Sequence, residues 1–177
     1  MTKYELQPYT KDGEVRDVRR RLPLVRAKML NPIKNYLSGL FAVDVGCGNG
    51  RMGKLLKEYF SGVIGVDCYR KLDPYNEGYY YKFYNCGFLD MPFVQADLIF
   101  FFGSFYQMND YTETLNKCKR MVLSQKGKIL IIDDAMRKVG NPTESWFYDL
   151  DRLIVDADLI VIKEFLSGRD RITLLSA

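Results

Sequence analysis

The chain has 177 residues, 47% of them apolar and 27% charged, which is the composition of one globular domain with a buried core. It contains no histidine, so imidazole acid–base chemistry and His-ligated metal sites are excluded, and a net charge of +4 does not by itself demand nucleic acid. The cysteines Cys47, Cys68, Cys86 and Cys118 form no CxxC pair, which points to free thiols in a reducing, cytoplasmic setting and gives no reason to expect a metal.

The opening Met-Thr-Lys-Tyr-Glu is not a signal peptide, and no apolar run approaches the ~20 residues of a membrane span. Residues 1–14 show little periodicity. Val15, Val18, Leu22 and Val25 then fall near one helical face, with Arg16, Arg19, Arg20 and Arg26 elsewhere. Pro23 ends or kinks that helix. Asn31-Pro32 supplies a cap and a first-turn proline for a second helical piece carrying Ile33, Tyr36, Leu37 and Leu40, with Gly39 as its stop. Residues 1–40 are thus expected to form a helical extension or lid, and 41–177 one compact domain.

Phe41-Ala42-Val43-Asp44-Val45 reads as a buried strand that runs into Gly46, Gly48 and Gly50 at alternate positions. Alternate glycines permit backbone conformations closed to residues with a Cβ and let a ligand approach the main chain. Residues 51–60 read as a helix with Met52, Leu55, Leu56 and Tyr59 on its apolar face, and its first N–H groups are free for a polar ligand edge. Val63-Ile64-Gly65-Val66, bounded by Asp67, is a second buried strand. Strand, helix and strand make a βαβ unit with a right-handed crossover, and the loop is a site for a nucleotide-like molecule.

Residues 68–78 are turn-rich and too broken for a long helix. Residues 79–85 read as the third strand and 97–102 as the fourth, apolar on both faces and therefore central. Tyr111, Leu115, Cys118 and Val122 trace a helix, and residues 128–133 the fifth strand after Gly127. Asn141-Pro142-Thr143-Glu144 has a helix-start signature, followed by a core stripe of Trp146, Leu150, Leu153, Ile154 and Ala157. Residues 159–165 and 171–175, around a turn at 167–170, make a terminal β-hairpin.

Two frames fit the glycine loop. Gly48-Asn49-Gly50-Arg51-Met52-Gly53 satisfies the dinucleotide fingerprint GxGxxG, with Asp67 placed for a ribose. The frame opened by Asp44 accounts for more: Asp44-x-Gly46-x-Gly48-x-Gly50 resembles the first motif of the class I S-adenosylmethionine-dependent methyltransferases. The resemblance runs in order through about residues 40–135, including Lys126-Gly127-Lys128-Ile129-Leu130 before the fifth strand, and the terminal hairpin agrees with it. It implies an α/β, single-domain Rossmann-like methyltransferase fold. Its sheet has seven strands, mostly parallel, with an antiparallel C-terminal hairpin and helices on both faces. It also implies S-adenosylmethionine as the cofactor.

The resemblance places cofactor contacts at Asp44, Gly46, Cys47, Gly48, Asn49, Gly50 and Met52, at Asp67 and Cys68 after the second strand, at Gly87 and Phe88 after the third, and at Phe102 and Gly103 after the fourth. A carboxylate accepts two hydrogen bonds from a vicinal diol, which is the physical reason for Asp67 at a ribose. Asp44 either reaches the cofactor through a water or fixes the loop. The adenine corner departs from the pattern, because Gly87 stands where many relatives carry an acidic residue. Adenine is then held by backbone with packing on Phe88 or Leu89, or by Asp90 from a shifted loop.

Methyl transfer requires in-line alignment and exclusion of water, with a general base only where the acceptor must lose a proton. Tyr106 and Gln107, in the loop after the fourth strand, are candidates to orient an acceptor, and Asp133, with Asp134 beside it, ends the fifth strand at the ligand edge. The expected function is S-adenosylmethionine-dependent methyl transfer to a small-molecule acceptor. One alternative is an RNA methyltransferase whose basic segment (Arg16, Arg19, Arg20, Arg21 and Arg26, with Lys28 and Lys34) holds phosphates. Another is a non-catalytic partner protein that keeps the fold.

Overall fold

The computed structural model describes residues 28–123, 126–134, 149–168 and 170–177. The basic cluster from Arg16 to Arg26, the amphipathic stretch from Val15, and the helix start from Asn141 to Trp146 lie outside the described residues.

Alternating apolar side chains give each central strand two buried faces, and the strands assemble accordingly. The strands are β1 (Gly39–Val45), β2 (Phe60–Val66), β3 (Lys82–Tyr84), β4 (Leu98–Phe102), β5 (Lys128–Asp134), β6 (Ile160–Ser167) and β7 (Asp170–Ser176). They form one sheet in the order β3-β2-β1-β4-β5-β7-β6. Pairing is parallel from β3 through β5; β7 runs antiparallel between β5 and β6. The sequence order 1, 2, 3 runs one way from β1 and 4, 5 the other, so the topological switch, where α/β folds bind ligands, lies between β1 and β4.

Period-two alternation divides the core. Val43, Val45, Ile64, Ile99, Phe101 and Ile131 pack with α3 (Tyr111–Leu123) and α4 (Leu150–Asp156). Ala42, Val63, Leu98, Phe100, Leu130 and Ile132 face α1 (Gly53–Leu56) and the described part of the N-terminal segment, where Met29, Leu30, Ile33 and Leu37 are buried. That part is a packed layer of the domain: Lys163 Nζ also donates to the Pro32 carbonyl at 2.9 Å. No helix among the described residues is long and apolar enough to cross a membrane.

Three elements differ from the expectation in extent. The helix after the glycine loop is a single turn, α1, because residues 60–62 are drawn into β2, where Phe60 pairs with Gly39 and Gly62 with Phe41. Residues 31–36 form a 3-10 turn, and Leu40, read as helical, belongs to β1. β3 is shortened because the Tyr79 and Tyr80 N–H groups close the turn of α2 (Pro74–Glu77) onto Asn76 and Glu77. At the far end of the sheet, Asp97 Oδ2 accepts from the Leu40 and Phe41 amides at 2.7 and 2.9 Å, which fixes the start of β1 against β4.

Candidate functional site

The site is built where β1 leaves the sheet. Gly46 and Cys47 both donate to the Val66 carbonyl, at 2.8 and 3.2 Å, which ties the loop to the end of β2. Gly46, Gly48 and Gly50 all have positive φ, at 67°, 58° and 87°, so each position favours glycine on backbone grounds. Their surroundings separate them. A Cβ on Gly46 would meet Ser104 Cβ, and one on Gly50 would lie within 3.0 Å of Leu72, Tyr80 and Asn76. A Cβ on Gly48 would have only Arg70 at 4.0 Å, and one on Gly103 (φ 60°) would have nothing within 4 Å. Gly46 and Gly50 are therefore small for packing, whereas Gly48 and Gly103 leave bare backbone open.

The motif acid Asp44 is 1% exposed and accepts a 2.6 Å hydrogen bond from the Tyr80 hydroxyl. Burial, reinforced by the Asp44 charge, pushes the Tyr80 pKa well above its ordinary value, so the phenol remains the donor. The Tyr80 ring lies against Gly50, Gly53 and Gly65. From the other side, the Asp73 N–H and the Asn76 side-chain amide donate to the Asn49 carbonyl at 3.1 and 2.9 Å. Asp44 thus helps to fix the loop. The β2–β3 crossover braces the loop from behind, a contact that periodicity did not reveal. One signal was available: a carboxylate buried in mid-strand requires a donor, and three tyrosines follow at 79–81.

Asp67 sits half-buried beside the open face of Gly48. Its Oδ2 accepts from Gly48 N, and its Oδ1 from Tyr69 N and Arg70 N, each at 2.8 Å. A carboxylate offers about four lone-pair sites, so these amides orient the group and leave acceptor capacity on Oδ2.

Other expected contact residues point elsewhere. Cys47 is buried, its thiol pKa raised first by burial and then by Asp44 and Asp67, and its N–H is taken by Val66. Met52 packs in the core beside α1. Phe88 is likewise a core residue, edge-on to Phe101 with ring centroids 5.9 Å apart. In all three residues the core claims the side chain. Cys68 is exposed and Phe102 half-buried at the same edge.

In the loop after β3, Asp90 Oδ2 lies 2.9 Å from where a Gly87 Cβ would stand. The missing side chain at 87 makes room for this carboxylate. The loop is held by Lys117 of α3, a residue not singled out in the sequence, whose buried ammonium donates to the carbonyls of Phe88, Leu89 and Met91 at 2.9, 3.0 and 2.6 Å. Desolvation lowers the Lys117 pKa.

After β4 the chain makes a 3-10 turn, Phe105–Gln107. Ser104 Oγ donates to the Val45 carbonyl at 2.6 Å and seats this turn on the end of β1. Gln107 Nε2 donates to the Tyr106 hydroxyl at 2.7 Å, and the Tyr111 hydroxyl donates to the Tyr106 carbonyl at 2.9 Å. The Tyr111 pKa is raised by burial and by the charge of Asp133, which is 8% exposed at the end of β5. Tyr106, Gln107, Tyr111 and Asp133 thus share one end of the sheet, next to the glycine loop. The side chain of Asp134 lies outside the described set.

The sheet order, the three positive-φ glycines and the acid after β2 define a Rossmann-like nucleotide-binding protein. Residues 43–131 match the family described as "Methyltransferase domain", and the chain belongs to that family. No curated protein matches the chain. Among solved structures, a protein from Sulfolobus solfataricus described as a type 11 methyltransferase is 22% identical with a TM-score of 0.62, over 85% of this chain and 90% of that one. An S-adenosylmethionine-dependent methyltransferase from Aquifex aeolicus is 18% identical with a TM-score of 0.64, over 88% and 91%. Magnesium protoporphyrin IX methyltransferase from Synechocystis, determined with bound S-adenosylmethionine, is 16% identical with a TM-score of 0.60, over 93% and 86%.

The chain is a methyltransferase, and its cofactor is S-adenosylmethionine. The residues present fit that molecule. Backbone lies open at Gly48 and Gly103, and a carboxylate with spare acceptor capacity stands beside Gly48.

Proposed function

We propose that this methyltransferase acts on a small-molecule acceptor seated above the carboxyl ends of β4 and β5. The observation that carries the reading is the Tyr106–Gln107 pair, joined at 2.7 Å on a turn whose position is fixed by Ser104 and Tyr111. Bound S-adenosylmethionine supplies an electrophilic methyl group on its sulfonium. The protein's task is then alignment and exclusion of water. Asp67 Oδ2 holds a ribose hydroxyl, and the bare backbone at Gly48 and Gly103 admits the cofactor's close approach. Asp90, in the space left by Gly87, accepts from the adenine amino group. Tyr106 and Gln107 orient the acceptor, and Asp133 takes a proton from an acceptor that must lose one.

The test is methyl-labelled S-adenosylmethionine incubated with the protein and host extract, followed by separation into metabolite, protein and RNA fractions. Label in metabolites, lost on Gln107→Ala, is the expected result; label confined to protein would sink the small-molecule reading. A second reading, transfer to RNA, is favoured by the exposed basic and aromatic side chains Arg70, Lys71, Tyr75 and Tyr81, and label in the RNA fraction would select it.

A further inference from the structure

Lys117 is a buried cation with no part in the transfer step. It stands on α3, 7% exposed, against the loop that joins β3 to β4. Three carbonyls converge on its ammonium: those of Phe88, Leu89 and Met91, at 2.9, 3.0 and 2.6 Å. The Nζ also lies 5.3 Å from the Phe88 ring centroid. An ammonium has three N–H donors and no acceptor, so the set is matched one to one. A neutral amine has only two N–H groups and would leave one carbonyl without a donor. Burying a cation is costly unless its donors are satisfied. Here backbone satisfies them, where a carboxylate ordinarily would.

The loop that it holds has two inward residues and two outward ones. Phe88 and Met91 are anchored in the core, and Leu89 and Asp90 between them are exposed. The Gly87 carbonyl closes the turn by accepting from Asp90 N and Met91 N, both at 3.1 Å. The carbonyls of 87, 88, 89 and 91 are thus all committed, which fixes the peptide planes of the loop. In that conformation the Asp90 carboxylate lies over Gly87. The ammonium and this carboxylate are near enough to act on each other: desolvation lowers the Lys117 pKa, and Cys86 and then Asp90 oppose the fall. With its three donors on carbonyls, the ammonium orients the loop that carries Asp90 without occupying the carboxylate.

We propose that Lys117 is a positioning residue for the base of the cofactor: its three bonds hold the loop in the conformation that presents Asp90, and so set the preference for a purine that carries an amino group. The inference rests on the reading in which Asp90 accepts from the adenine amino group. Lys117 acts through the backbone and does not touch the cofactor. Without the ammonium, carbonyls turned toward the protein lose their donor. The loop relieves them by turning them to water, and Asp90 moves with it. A residue that only stabilised the fold would weaken every ligand of the site alike. One that places Asp90 acts on the amino group.

The test is calorimetric titration of S-adenosylhomocysteine and of the analogue in which hydrogen replaces the amino group of the base, with thermal melting of each variant. The wild-type chain is expected to bind the amino form about tenfold more tightly, the loss of one hydrogen bond to a charged group. Asp90→Ala is expected to abolish this preference. Lys117→Met keeps the apolar stem, removes the ammonium, and is expected to cut the preference by about threefold or more. Adding Lys117→Met to Asp90→Ala should cut it no further, because the two act as a unit. Lys117→Arg keeps the charge, but a planar fork does not fit three converging carbonyls. It is expected to cut the preference as well, and it carries the test if Lys117→Met does not fold. A wild-type preference in the Lys117 variant that folds, with both ligands weakened alike, overturns the inference. No preference in the wild-type chain, or a wild-type preference in Asp90→Ala, instead sinks the adenine reading and the inference with it. The Asp90 variant thus tells the two failures apart.

Discussion

The carboxylate of Asp67 accepts three backbone N–H groups before any ligand arrives. Asp67→Asn replaces one oxygen by an amide donor and sets it against a backbone donor. The expected cost is about 1–3 kcal/mol in urea unfolding, with at least a tenfold loss of S-adenosylmethionine affinity by calorimetry. Unchanged affinity would remove Asp67 from the site. Tyr80→Phe deletes the donor to buried Asp44 and should destabilise by about 1.5–3 kcal/mol, the range for a hydrogen bond to a charged group. Three groups also fix the response to alkali. Burial raises the pKa of Cys118, Cys47 and Tyr80 in the fold. The unfolded chain releases these protons at about pH 8.5 for Cys and about 10 for Tyr, where the folded chain still holds them. Their contribution to stability is therefore complete below about pH 8 and is lost as pH rises. Urea midpoints should fall from pH 8 to 10.5, and Cys118→Ala should make the fall shallower; a midpoint that holds or rises would contradict the assignment. Asp44 and Asp67 were legible because their spacing to the glycines is a local property. Tyr80 was not, because its partner is 36 positions away and its strand-like neighbourhood masks a turn.

Glycines test how loop and crossover depend on each other. Gly50→Ala would place a methyl group within 3.0 Å of Leu72, Tyr80 and Asn76 at φ 87°, so it strains the backbone and displaces the brace together. A loss of about 1–3 kcal/mol is expected, with weaker cofactor binding. Gly78 ends α2 at φ −63° with nothing within 4 Å of a Cβ. Gly78→Ala should be neutral or stabilise by about 0.4–1 kcal/mol through the unfolded state. Equal losses in the two variants would show that the loop does not lean on the crossover. Element types followed the hydrophobic period closely, and β4, α3 and β5 lie within a residue or so of their sequence reading. Lengths were harder to read. Residues 57–60 carry helical periodicity, yet pairing Phe60 with Gly39 extends β2, and long-range pairing outweighs local propensity. Lys117 shows the same limit: the spacing of α3 does not single it out, and only the fold brings the carbonyls at 88, 89 and 91 to it.

The order of the whole sheet decides which nucleotide ligand the loop serves. β7 inserts antiparallel between β5 and β6, with Asp134 paired to Asp170 at one end and Lys128 to Ser176 at the other. The position that would begin a second parallel half is thereby taken by a strand of opposite direction, and no second dinucleotide half extends the sheet among the described residues. Arg171 of β7 secures this end by pairing with Asp151 of α4 and Glu164 of β6. The cofactor edge gathers the ends of β2, β1 and β4, three neighbours in the middle of the sheet. A ligand that spans them binds the folded chain and has no site on the unfolded one, so its binding energy appears as stability. At a hundredfold excess over Kd, S-adenosylmethionine should add about 2.7 kcal/mol, which for a chain of this size raises Tm by roughly 5–10 °C. The rise should vanish in Asp67→Asn at the same concentration, and NAD should produce none. A shift with NAD and none with S-adenosylmethionine would return the glycine loop to the dinucleotide frame and leave Asp44 without a role in choosing the ligand.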